Sequence, residues 1–375
     1  MTTPGSSIRA GDAARAADEA VEEQAPIGLR CALIAQYHSH GIPARGTSWE
    51  YNNLYPTMRR VFERSAFFDF HTPYVEQGRE RMSEMMLEFI RREKPDLTIV
   101  PLFTDQFVPE ALDELATLTT TVAYLMDDNW RMEWAEGWVR HFHYFTTPHT
   151  WTERLWREKG FSNVVHSPFA YDETTYRVKN LPKIYDVSFV GGFHPYRAWL
   201  IKRLRKAGIQ VAVWGNAWPQ GVLEQERMIE VFNQSKINLN LTDSVSWDLR
   251  YLLSSHWAVR NLRTSRKRGE QTKGRNFEIP GCGGFQLSYY SEDLEKHFRI
   301  SDEIAIYHDE DDLIDKVRYY LRHEDERETI ARAGHERVVS EHTFSRRFLD
   351  LVARIDRDGW KPPITGASAR PLPRA

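Results

Sequence analysis

The sequence is poor in cysteine: among 375 residues only Cys31 and Cys282 occur. Two thiols cannot build a disulfide framework, and they suit a reducing compartment. Long apolar runs are also missing, since none approaches the roughly 18–20 residues that a membrane span needs. The first 25 residues carry Arg9, Asp12, Arg15, Asp18, Glu19, Glu22 and Glu23 and no apolar core, so no secretory signal is expected there. Neither sign of charge dominates. Lys and Arg number 50, Asp and Glu 53, and the net charge is -3. Nothing global therefore attracts nucleic acid or acidic membranes. Zinc spacings of the His-Glu-x-x-His or Cys/His kind, a P-loop and a Gly-x-Ser-x-Gly elbow are absent, which argues against zinc chemistry, P-loop nucleotide hydrolysis and serine hydrolysis. The expectation is a cytoplasmic protein with no nucleic-acid partner, no membrane span and no metal site.

What is present is length, aromatic content and alternation. The length favours two domains over one. Aromatics are plentiful, with 12 Trp, 16 Tyr and 19 Phe; such rings fill cores more often than they stack on ligands. Residues 1–26 and 356–375 read as tails. Between them, compact apolar runs alternate with helical patterns, which predicts parallel strands covered by helices on both faces. The first set of strands is expected over 29–35, 97–103, 119–126, 142–146 and 164–167, with helices near 54–65 and 76–93. The pattern restarts with strands at 186–190, 210–214, 236–241, 285–288 and 303–307. Helices are expected over 197–207, 223–233, 311–322, 324–334 and 336–355. This divides the chain into α/β domains at 27–170 and 171–355. Ligands of such sheets bind beyond the carboxyl ends of strands, so the natural site is a cleft between the two.

The most pointed segment runs from Lys273 through Gly274, Arg275 and Glu278 to Gly283-Gly284-Phe285. Two cations precede a carboxylate and a glycine-rich turn. That set suits a nucleoside diphosphate, with cations and amides for phosphates and an ionised carboxylate for vicinal ribose hydroxyls. The alternatives are a basic surface and a Glu that complements a helix dipole. Five further basic residues, Arg260, Arg263, Arg266, Lys267 and Arg268, read as a solvated run. Gly191-Gly192 follow a strand and precede a helix bearing Arg197. They suit close approach of a phosphate or an ordinary strand–helix turn. Trp214 is a candidate base-stacking ring or a core residue, and Lys236 and Asn240 flank a strand expected to point at the cleft.

The segment 273–348 resembles the C-terminal domain of CgeB-like glycosyltransferases. The resemblance rests on Lys273-Gly274-Arg275-Asn276-Phe277-Glu278-Ile279-Pro280-Gly281, Gly283-Gly284-Phe285, Glu303-Ile304, Tyr319-Tyr320-Leu321, Ala331-Arg332-Ala333-Gly334 and Glu341-His342-Thr343-Phe344-Ser345-Arg346-Arg347. It implies a GT-B fold, with two Rossmann-like α/β/α domains facing across a cleft. It also implies a hexosyltransferase-type enzyme with a nucleotide-diphosphate sugar as donor, held by the C-terminal domain. The acceptor would lie on the N-terminal domain, and no metal or other cofactor would be obligatory. Nucleotide-sugar binding falls to Gly191, Gly192, Arg197, Trp214, Asn240, Lys273, Arg275 and Glu278. Glu270 and Glu278 reproduce a Glu-x7-Glu spacing, in which the first glutamate faces the transferring sugar. Pro280 departs from that motif and predicts a short or bent helix.

The base that activates the acceptor is sought in the first half. Asp127-Asp128 follow a strand at the end where active sites form, with Asp127 the principal candidate; a turn with a helix cap is the alternative. His38, His40 and Glu50 are further choices. A nucleotide-sugar epimerase or hydrolase, a non-catalytic nucleotide-sugar binder, and a nucleic-acid binder using 260–275 are the competing readings.

Overall fold

The computed structural model describes residues 26–359, so of the tails expected at 1–26 and 356–375 the stretches 1–25 and 360–375 lie outside the described residues, while Asp356 and Arg357 belong to the last helix rather than to a tail. Two parallel sheets organise the chain. The first contains β1 (Ile27–Ala35), β2 (Phe62–Asp69), β3 (Leu97–Pro101), β4 (Thr120–Tyr124), β5 (Tyr144–Thr147) and β6 (Val164–His166). Its helices are α1 (Trp49–Val61), α2 (His71–Glu93), α3 (Pro109–Leu118), α4 (Met132–Val139) and α5 (Thr150–Glu158). The second sheet contains β7 (Tyr185–Val190), β8 (Val211–Trp214), β9 (Ser235–Asn240), β10 (Gln286–Tyr289) and β11 (Ala305–Tyr307). Between these strands run α6 (Pro195–Lys206), α7 (Gln225–Gln234), α8 (Leu249–Leu252), α9 (His256–Thr264), α10 (Arg275–Gly281) and α11 (Leu294–His297). The chain closes with α12 (Glu310–Arg322), α13 (Glu324–Glu341) and α14 (Phe344–Arg357).

The strand orders explain where a site can form. The first sheet runs β2-β1-β3-β4-β5-β6 and the second β11-β10-β9-β7-β8. In each, the chain leaves the first strand to one side and returns to its other side. Loops therefore diverge at the carboxyl ends of β1 and β3, and again at those of β7 and β9. Such divergence leaves a crevice, which is where open α/β sheets take ligands.

Burial on both faces accounts for the nearly unbroken apolar strands. Ile34, Val100 and Ala123 face a core with Leu112 and Trp156 on one side of the first sheet, while Leu33, Ile99 and Val122 face the other. That second core is completed from the far end of the chain. Phe344, Phe348, Leu351 and Ile355 of α14 pack there, so the last helix crosses back onto the first sheet. Asp309 caps α12 by accepting from the Asp312 amide at 2.9 Å, as its position predicts.

Three expectations need correction. Residues 62–65 were expected to end a helix, but Phe62–Asp69 form edge strand β2, in parallel register with β1. Glu63 and Arg64 are exposed there, so an edge strand carries charges that mimic a helical surface. Residues 109–118, 132–139 and 150–158, not anticipated as helices, are helical. Finally, 324–355 is not helical in the expected pieces, because α13 runs on to Glu341 before Thr343 caps α14.

Candidate functional site

The two crevices face each other and enclose a cleft of about 360 Å³. From the first sheet it is lined by Trp49 and Glu50 after β1, Leu102 and Phe103 after β3, and Met126, Asp127 and Arg131 after β4. From the second come Gly191, Gly192 and Arg197 after β7, Asn240 and Asp243 at the end of β9, and Lys267, Gln271, Lys273, Gly274 and Arg275. A second cavity of about 360 Å³ shares Trp49, Val190, Gly191, Gly192 and Arg275 and extends toward Gly215, Asn216, Val222, Leu223 and Met228. His40 lies on its first-domain side.

The glycine turn after β7 is braced rather than loose. The Gly191 amide donates to Trp214 O at 2.9 Å, and Gly191 O accepts from Trp218 Nε1 at 2.9 Å. Gly215, with φ of 140°, lies so close that a Cβ there would sit 2.0 Å from Gly191 O. Arg197 ties this turn to the end of β9. Its Nη1 donates to Gly192 O at 3.0 Å, and its Nε to Leu241 O at 2.9 Å and Thr242 O at 3.1 Å. The guanidinium thus holds both lips of the second crevice in place.

Beside it is a compact charge cluster. Asp243 pairs with Lys273 and, at 3.0 Å, with Lys267. Burial would raise the Asp243 pKa, but Lys273, Arg197 and Lys267 outweigh it and hold the carboxyl well below its usual range. Burial lowers the Lys273 pKa, with Asp243 opposing. Lys273 also lies 5.9 Å from the Tyr289 ring centroid. Asn240, itself buried, donates to Ser288 Oγ at 3.2 Å.

Glu278 lies beneath this wall, fully buried and outside both cavity linings. Its Oε2 pairs with Arg275 one turn earlier on α10, and its Oε1 accepts from Trp49 Nε1 of the first domain at 2.8 Å. A Cβ on Gly274 would stand 2.9 Å from that indole nitrogen and 3.0 Å from the carboxylate, so glycine permits this approach of the two domains. Arg275 also reaches Val190 O at 3.4 Å. Helix α10 is short and contains Pro280, and shortness is one of the two outcomes expected there.

Three further candidate residues are held away from the cavity. Glu270 accepts from Thr242 and, at 3.0 Å, from Ser244; burial raises its pKa. Trp214 packs edge-on against Tyr185 at 5.3 Å and joins a core cluster, outside both cavity linings. Lys236 does not point at the cleft; it pairs with Asp186 at 2.7 Å on the outer surface.

The aspartate pair is split. Asp127 lines the cleft and accepts from Gln271 across it. Asp128 turns inward, is 2% exposed, and accepts from Trp156 Nε1 at 2.9 Å. Burial raises its pKa to about 6. Glu50, also buried at the cleft, has a pKa raised by burial, with a smaller contribution from the Asp127 charge. Two carboxylates with different surroundings therefore stand on the first-domain wall. Among the described residues no group of three or more His, Cys, Asp or Glu is placed to hold a metal ion.

Sequence reasoning missed Trp49, Asp243, Arg131 and Gln271, and it assigned Lys267 to a solvated run. Asp243 had one usable signal, its place just past a strand at the second crevice. Trp49 had none, because its partner Glu278 is 229 positions away.

Comparisons with known proteins bear on the fold and on the second half of the chain. Residues 197–353 match a family model described as glycosyl transferase-like. The chain is 23% identical to the spore protein CgeB of Bacillus subtilis (strain 168), over 81% of this chain and 95% of that protein. Among solved structures, sucrose-phosphate synthase from Thermosynechococcus elongatus superposes with a TM-score of 0.60 at 9% identity, covering 88% of this chain and 98% of that one. Anabaena HepE in complex with UDP-glucose superposes with a TM-score of 0.59 at 10% identity, covering 88% and 100%. Family match and fold together support a glycosyltransferase, and no helix among the described residues is long and apolar enough to cross a membrane. The chain has the GT-B fold, is similar to CgeB, and over residues 197–353 matches a glycosyl transferase-like family model.

Proposed function

We propose that the protein moves a sugar from a nucleoside diphosphate donor to a nucleophile held on residues 27–170, with donor binding by residues 171–355 and no obligatory metal. One observation carries the reading: Gly191, Gly192, Arg197, Lys273 and Arg275 converge on a cleft opposite the carboxylates Asp127 and Glu50. Breaking an anomeric carbon–oxygen bond leaves positive charge on the sugar and negative charge on the departing phosphate. Without a metal, that phosphate must be met by fixed cations and amides. Lys273 is suited to this, because an incoming diphosphate offers it a second anion beside Asp243. Arg197 and the Gly191-Gly192 turn supply a rigid floor. Arg275 and Glu278 take the ribose side, with Glu278 exchanging its Trp49 contact for ribose hydroxyls as the domains adjust. Asp127 is the base for the acceptor, and Glu50 tunes its field. Glu270 supports the wall through Thr242 and Ser244. The reaction is placed in the cytoplasm, where the free buried Cys31 and Cys282 stay reduced.

A thermal-shift screen of nucleoside diphosphates and their sugars tests this directly. A ligand at a hundred times its Kd stabilises the folded state by about 2.7 kcal/mol. A shift with one base and none with the others fixes the donor. No shift with any nucleoside diphosphate at millimolar concentration removes the reading.

A further inference from the structure

Among the described residues, the most exposed cluster of large apolar side chains lies on neither cavity. Trp247, Leu249, Leu253 and Trp257 are 67%, 72%, 87% and 54% exposed, all within one arm that carries α8 and α9. Scattered exposed apolar residues need no explanation, but four large ones in eleven positions form a patch. The arm is held to the body from beneath. Tyr251 is buried against Tyr196 and Trp199 at 4.9 and 5.6 Å, and Ala258 is buried with them. Its outward side is therefore a surface presented by a packed support.

That side is also cationic. Arg260, Arg263, Arg266 and Arg268 are exposed, and none of them enters an ion pair among the described residues. Arg260 stacks on Trp257 at 5.3 Å. Asp248 is the one acid between Ser246 and Arg268, and it is taken up by Arg250 at 2.8 Å. A strongly basic arm thus projects from a chain whose net charge is -3.

We infer that the arm spanning residues 246–268 docks on an anionic lipid bilayer. The chemistry fits a bilayer better than a protein surface. A protein interface would have to desolvate the arginines that follow the apolar side chains, beginning with Arg260 on the Trp257 ring. A headgroup layer does not, because Trp and Leu enter the acyl boundary while arginine stems lie flat and their guanidinia reach phosphates. Trp is favoured at that depth, where one end of the ring is apolar and the other wet. Near its end the arm carries Lys267, which lines the cleft, so docking would bring the cleft alongside the lipid surface. This inference rests on the arm alone and does not depend on sugar transfer.

The experiment is co-sedimentation of the full chain with phosphatidylcholine vesicles, with and without phosphatidylglycerol. Binding to the anionic vesicles only, falling as salt is added, is expected. Arg260→Gln with Arg263→Gln should weaken partitioning roughly fivefold per charge at low salt. Leu253→Ser with Trp257→Ser should abolish it at unchanged charge, while the melting temperature stays within a degree or so of wild type, since exposed substitutions cost little. Equal binding to neutral vesicles, or none to anionic ones, overturns the inference. So does loss of binding in the arginine variant alone, which would mark a general polyanion surface such as one for nucleic acid. A Leu253→Ser and Trp257→Ser variant that changes only the oligomeric state by light scattering would assign the patch to a second copy instead.

Discussion

Replacing Glu278 with Gln isolates the buried carboxylate that is proposed to serve the donor side. Gln keeps the shape and an acceptor for Trp49 Nε1, now 2.8 Å from Oε1, but removes the charge that faces Arg275. Glu278 is fully buried, whereas the Arg275 side chain is 27% exposed. Breaking a buried ion pair costs about 3–5 kcal/mol because one charge is left uncompensated. Partial hydration of Arg275 points to the lower end, about 3 kcal/mol. For domains of this size 1 kcal/mol moves Tm by about 2–4 °C, so Tm should fall by about 6–12 °C. The functional effect is separate. A hydrogen bond to an ionised group contributes about 1.5–3 kcal/mol, so affinity for the nucleoside diphosphate should drop roughly 10- to 150-fold. Differential scanning calorimetry reads the first quantity and isothermal titration below the variant's Tm the second. A large fall in Tm with unchanged affinity would take Glu278 out of ribose binding. Unchanged Tm would refute the buried-pair account itself.

Other parts of the architecture make their own predictions. The Asp128 pKa is raised in the fold to about 6 by burial, so the folded state holds its proton where the unfolded chain has lost it. Stability from this group is therefore present at low pH and declines between about pH 4 and pH 6, by about 3 kcal/mol in all. Asp128→Asn should gain on wild type by that amount at pH 7 and show no gain near pH 3.5; denaturant midpoints at both pH values measure it. Gly215→Ala places a Cβ on the Gly191 carbonyl at φ of 140°, so it should destabilise by more than about 1 kcal/mol and disturb the Gly191-Gly192 turn proposed to meet phosphate, seen together in urea melts and in nucleotide titrations. Phe348→Ala opens a cavity beneath the first sheet although it lies near the chain's end; a loss of about 3–5 kcal/mol is expected, with hydrogen exchange accelerated in β1 and β3.

The strands were legible because both sheet faces are covered. Leu33, Ile99 and Val122 stand in apolar runs that no exposed element tolerates. β2 was not legible, since its edge position admits Glu63 and Arg64, and only pairing with β1 decides its state. Lys273, Arg275 and Glu278 share one short window, so their proximity could be read from the sequence. Trp49 with Glu278, and Asp127 with Gln271, join residues carried by the two sheets' halves of the chain. Such pairs have no local pattern, because domain packing creates them. Trp214 shows the converse error: a strand-end ring beside a glycine suggests stacking, yet the side chain turns toward Tyr185.

The central claim is that the cleft activates a nucleotide sugar held by Lys273 and its neighbours. Its most direct measurement is release of nucleoside diphosphate from a panel of nucleotide sugars, followed by chromatography without added acceptor and then with cell extract as acceptor source. The account predicts slow release from one donor, faster release with acceptor, and loss of both in Lys273→Met. A chain that binds and turns over none of the panel, or a Lys273→Met variant as active as wild type, would contradict it.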